Sequence, residues 1–65
     1  MARFIKVRCI DKKTKNLYWA CINSEIIDIV EESSFDTCVI LTKDYDSIAV
    51  KEPFDSLWSK IDETR

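Results

Sequence analysis

The sequence predicts an α+β domain: a small antiparallel β-meander of about five strands, half-barrel-like, closed by one C-terminal amphipathic helix. Three observations carry this. Apolar residues alternate with polar ones in short runs separated by polar turns through residue 50. At Glu52 and Pro53 the period changes to i, i+3, i+4, i+7. The 65 residues hold one proline and no glycine, so no linker divides them, and a single domain over 1–65 is expected.

The first strand is expected over 3–10, with Ile5, Val7 and Cys9 on the core face and Phe4, Lys6, Arg8 and Ile10 on the other. The polar stretch Asp11 to Asn16 is a turn, and Asn16 is the candidate for a left-handed backbone position in a chain without glycine. Residues 17–22, "LYWACI", form an aromatic-rich strand with both faces at least partly covered, and Trp19 is assigned to the core. A third strand over 26–32 assigns Ile27 and Ile29 to the core.

The β-branched segment 37–42, "TCVILT", is the fourth strand, with Val39 and Leu41 as core residues. "KDYD" is a hairpin turn with aspartates where glycine is usual, and 47–50 is the fifth strand. The helix is expected over 53–62, with Pro53 at its first position and Asp55 against the positive end of its dipole. Phe54, Leu57, Trp58 and Ile61 form its apolar stripe. Burying four such side chains contributes on the order of 6–12 kcal/mol gross, comparable to the net stability of a domain, so the helix is expected to be the lid.

The residue inventory argues against most chemistries. Without histidine there is no Ser-His or Cys-His nucleophile, and without glycine no phosphate-cradling loop. The pairs Glu31 with Glu32 and Asp44 with Asp46 fall at strand ends or turns, where solvated carboxylates are ordinary. Cys9, Cys21 and Cys38, an odd number at intervals of 12 and 17, are expected to be buried and reduced rather than disulfide-linked. No catalytic residue, metal site or cofactor is expected, and the chain is not expected to be an enzyme. It holds no apolar run of membrane-spanning or signal-peptide length, so membrane insertion is not expected and a reducing, cytoplasmic location is.

The net charge of −2 conceals an asymmetry. Residues 1 to 16 carry Arg3, Lys6, Arg8, Lys12, Lys13 and Lys15 against Asp11 alone, a balance of +5, and the remainder of the chain carries −7. These six cations are the candidate contacts for an acidic protein surface, a second copy of the chain, or nucleic acid. They are also charges of the kind that guard a sheet edge. A domain this small buries only about 60% of its unfolded surface, which makes self-association the expected extra support.

The segments "FIKV", "INSEIIDIVEE", "TCVILT", "SIAVKEP" and "FDSLWSKI" run in an order that resembles the FlbD-like flagellar proteins, small bacterial proteins encoded among motility genes. The family's apolar-Asn pair, acidic-Ile-Ile segment, Leu-Thr strand end and Val-Lys-Glu run correspond to Ile22 and Asn23, Glu25 to Ile27, Leu41 and Thr42, and Val50 to Glu52. The resemblance implies no catalytic residues and an accessory factor acting on motility through protein contacts; with the self-association expected from the small size, a homo-oligomer is expected. A weaker one, from Ile22 to Ile61, is to LytTR-type DNA-binding domains; it implies a nucleic-acid-binding module, for which the charge asymmetry offers the basic first strand and turn as the contact surface.

Overall fold

The computed structural model describes residues 3–64. Its elements are β1 (Phe4–Ile10), β2 (Leu17–Asn23), a 3-10 turn (Ser24–Ile26), β3 (Ile27–Ser34), β4 (Thr37–Thr42), β5 (Ser47–Val50) and α1 (Phe54–Asp62). The strands form one antiparallel sheet in the order β2-β1-β5-β4-β3. The α+β class is as expected.

The β1–β2 hairpin is shaped by its turn. Asp11 Oδ1 accepts from the amides of Lys13 (2.8 Å) and Thr14 (3.1 Å), and the Asp11 amide donates to the Asn16 carbonyl (2.8 Å). The left-handed residue is Lys15 (φ 65°) rather than Asn16, because the Asx-type closure by Asp11 sets the turn one residue earlier. In the second hairpin Tyr45 takes the left-handed position (φ 67°), fully exposed, where a Cβ is tolerated at a cost of about 1–2 kcal/mol.

One connection departs from a simple meander. β2 and β3 lie at opposite edges of the sheet, four strand spacings apart, yet only the turn Ser24–Ile26 joins them. A flat sheet would separate them by about 19 Å. Four residue steps reach at most about 14 Å. The sheet must therefore curl, and the half-barrel form follows from this connection. Asn23 fixes the crossing by accepting the Glu25 amide on its side chain at 2.9 Å.

The two halves of the sheet meet narrowly, at Cys9 opposite Val50 and through the Lys51 amide on the Arg8 carbonyl (2.8 Å). Helix α1 lies over the concave face. The core is Ile5, Val7, Cys9, Ile22, Cys38, Ile40, Val50, Leu57 and Ile61, with Ile27, Val30, Ile48 and Phe54 packed partly buried against it. Polar ties lock the end of α1: Thr64 Oγ1 donates to Ser24 Oγ (3.0 Å), Ser24 Oγ to the Arg3 carbonyl (3.0 Å), and the Arg3 guanidinium to the Thr64 carbonyl.

Five of the nine expected core residues are placed differently. Trp19 stands opposite Arg8 on the outer face of the hairpin and is 58% exposed, so it lies outside the core. On β4 the buried residues are Cys38, Ile40 and Thr42, while Val39 and Leu41 point outward and are only partly buried. A register shift between Ile27 and Ile29 moves Ile29 to the outer face and turns Val30 inward. Trp58 is 41% exposed, since Phe54, Leu57 and Ile61 face the core and Trp58 lies at the margin of that stripe, about 100° around the helix from the fully buried Leu57. Pro53 is the N-cap rather than the first helical residue. Cys21 is exposed, unlike Cys9 and Cys38.

Candidate interaction surface

Strand β2 is an edge, and its backbone polarity follows from two hydrogen bonds. The Ser24 amide reaches the Arg3 carbonyl, whereas the Lys51 amide reaches the Arg8 carbonyl from the other side of β1. Antiparallel alternation then makes odd-numbered residues of β1 bond to β2 and leaves the amides and carbonyls of Leu17, Trp19 and Cys21 aimed away from the sheet. β2 itself, "LYWACIN", carries no charge and no proline. Leu17, Tyr18 and Trp19 are each at least 40% exposed on it. An open, uncharged, aromatic edge of seven residues lacks the usual protections against pairing with another chain.

The cations beside this edge come from β1. Lys6 Nζ lies 4.8 Å and Arg8 Cζ 5.4 Å from the Trp19 ring centroid. Each such contact contributes roughly 0.5–1 kcal/mol at an exposed site, enough to hold the indole against the outer face. Phe4, Lys6 and Trp19 continue into an open groove closed on its far side by Lys60 of α1 and by Glu63 and Thr64 just after it.

Only two of the six candidate cations are brought together. Lys6 and Arg8 flank Trp19; Lys12 is tied to Ser47 through its Oγ (2.6 Å) and carbonyl (3.0 Å); Arg3 is tied to Thr64; Lys13 and Lys15 stand exposed on the β1–β2 turn. Trp19 and Cys21 are surface residues that the sequence reading assigned to the interior. Counting back from the Asp11–Asn16 turn, which sets Ile10 opposite Leu17, would have placed both on the face of Lys6 and Arg8.

The opposite edge is acidic. β3 exposes Asp28, Glu31 and Glu32 and carries no basic residue. Apolar pairs also lie on the outer face, Leu17 opposite Ile10, Val39 opposite Ala49 and Ile29 opposite Leu41.

The thiols divide by exposure. Burial pushes the Cys9 thiol up, opposed in part by a hydrogen bond with Tyr18. Burial likewise raises Cys38, helped by the negative charges of Glu32 and Glu52, and its thiol donates to the Glu52 carbonyl at 3.2 Å. Both are held as neutral thiols, poor nucleophiles. Among the described residues no helix is long and apolar enough to cross a membrane. Compared with protein-family models, curated proteins and solved structures, the chain matches none.

Proposed function

We propose that the chain is a non-enzymatic interaction protein, FlbD-like in fold, that acts through protein contacts at its open β2 edge. The observation that supports this is the outward-facing backbone of Leu17, Trp19 and Cys21 on a strand without charge, with Leu17 and Trp19 exposed beside it. Main-chain hydrogen bonds to such an edge supply affinity, and the side chains alternating along it supply selectivity. Lys6 and Arg8 then bias the edge toward an acidic partner strand.

A second reading, a nucleic-acid-binding module, draws on the exposed Trp19 and Phe4 beside Lys6 and Arg8, a combination suited to stacking a base against a cationic surface. It is the weaker of the two. Arg3 and Lys12 are committed to internal hydrogen bonds, and the acidic remainder of the surface repels a phosphate backbone.

One pair of measurements separates them. Sedimentation equilibrium across a wide concentration range is expected to give a mass above the monomer's 7.6 kDa, reduced to the monomer by Cys21→Pro, which removes an outward amide without breaking the β1–β2 ladder. Fluorescence titration of the tryptophans with single-stranded DNA at low salt is expected to give no change. A concentration-independent 7.6 kDa species together with salt-sensitive quenching by DNA would reverse the choice.

A further inference from the structure

We infer that the occupant of the β2 edge is the β3 edge of a second copy of this chain, so that copies associate head to tail. The inference rests on β2 being the working edge, and it deepens that reading by naming the partner.

Pairing β2 with β2 of another copy would place Lys6 and Arg8 of both on one continuous outer face, and β2 offers no acid to offset them. Pairing β3 with β3 would set Asp28, Glu31 and Glu32 of one copy against those of the other. The β3 edge therefore disfavours itself, and the β2 edge gains no charge partner from its own kind. Pairing β2 with β3 removes the acidic repulsion and gives the cations acidic partners. Glu31 stands opposite the outward-pointing Val39, hence on the outer face, within side-chain reach of the cations beside Trp19 in the neighbouring copy.

The strands are also compatible in length and apolar content. β2 has seven residues and β3 eight, and Ile29 lies half-exposed on the outer face where it would meet Leu17 or Trp19. The β3 backbone is open in the right places. The Thr42 amide bonds to the Asp46 carbonyl, so even-numbered residues of β4 face β5, odd-numbered ones face β3, and Val30 and Glu32 are left aiming their amides and carbonyls outward. A single chain does not use its own two edges on each other, since β2 and β3 are unpaired across the half-barrel. Because the two surfaces differ, the contact is heterologous and extends beyond a dimer, closing as a ring or continuing as a filament.

The test uses two edge-blocked variants of the full chain, Cys21→Pro for β2 and Glu32→Pro for β3, in sedimentation equilibrium, with circular dichroism to verify the fold. Head-to-tail pairing predicts that each variant alone is monomeric, that their equimolar mixture stops at a dimer, and that the unmodified chain passes beyond a dimer and dissociates as salt rises. If a proline variant fails to fold, exposed charge reversals replace it: Lys6→Glu with Arg8→Glu in one chain, and Glu31→Lys with Glu32→Lys in another. Each is expected to be monomeric alone and to associate on mixing.

Association of the Glu32→Pro chain at unmodified strength, with loss only in Cys21→Pro, would overturn the head-to-tail arrangement and leave the β2 edge as the working surface. An unmodified chain that is monomeric at every concentration would overturn both.

Discussion

Glu52 and Lys60 are joined at 2.9 Å across two turns of α1, from the residue before the N-cap to the last turn. Ser56 donates to the same Glu52 oxygen at 2.9 Å, and Lys60 Nζ also donates to the Lys6 carbonyl at 2.9 Å, so this ammonium ties the helix both to its own start and to β1. The other carboxylate oxygen, Oε2, is buried without a hydrogen-bond partner among the described residues. Glu52 thus depends on Lys60 for charge compensation. Lys60→Met is expected to destabilise the fold by about 1–3 kcal/mol, because it leaves a mostly buried carboxylate unpaired. Glu52→Gln combined with Lys60→Met is expected to cost less than the sum of the two single changes, as a urea-denaturation double-mutant cycle would reveal. Strict additivity would mean that the pair makes no contribution of its own.

Leu57 and Trp58 are neighbours in sequence with opposite environments, 0% and 41% exposed. Leu57→Ala opens a cavity among Ile40, Val50 and the other buried residues and is expected to cost about 2–5 kcal/mol. Trp58→Ala removes a half-exposed ring from the rim and is expected to cost less, on the order of 1 kcal/mol. Thermal denaturation of the two variants checks the order. A larger loss at Trp58 would place the apolar stripe of α1 on a different face.

The faces of β1 were legible because its polarity alternates: Lys6 and Arg8 on one parity leave Ile5, Val7 and Cys9 for the core, as observed. The change of period at Pro53 likewise located α1 to within a residue. Segments without such alternation were not legible. In "TCVILT" both parities are apolar, so nothing in the strand decides between Val39 with Leu41 and Cys38 with Ile40; the pairing of Cys38 with Val50 and Ile40 with Ile48 does. Ile29 was misplaced by an irregularity in β3 that local periodicity cannot carry. Trp19 was misplaced because "LYWACI" is apolar on both parities, whereas the orientation of its side chains is set by a turn several residues away. The candidate surface was legible in part: Lys6 and Arg8 were named, but the indole they flank and the open backbone beside it depend on strand order.

Asp36 links the β3–β4 turn to the segment before α1. Its carboxyl is held below the usual carboxylate range first by the Lys51 ammonium, whose Nζ lies 2.6 Å from Oδ2, and further by the hydroxyls of Thr37 and Ser34, which donate to Oδ1 at 3.0 and 3.1 Å; partial desolvation opposes the shift. An aspartate is half-protonated at about pH 3.9 in an unfolded chain. Because the folded value is lower, the folded state binds its proton less readily, and the resulting stabilisation is fully present above the unfolded value. It is lost as pH falls from there through the folded value. Asp36→Asn is therefore expected to lower the urea midpoint at pH 7 and to bring the variant and the unmodified chain together on acidification. Asp11, also depressed, by the amides of Thr14 and Lys13, keeps a residual acid sensitivity in the variant. A midpoint difference that stayed constant from pH 7 to pH 2 would show that Asp36 acts through the shape of the turn and not through its charge.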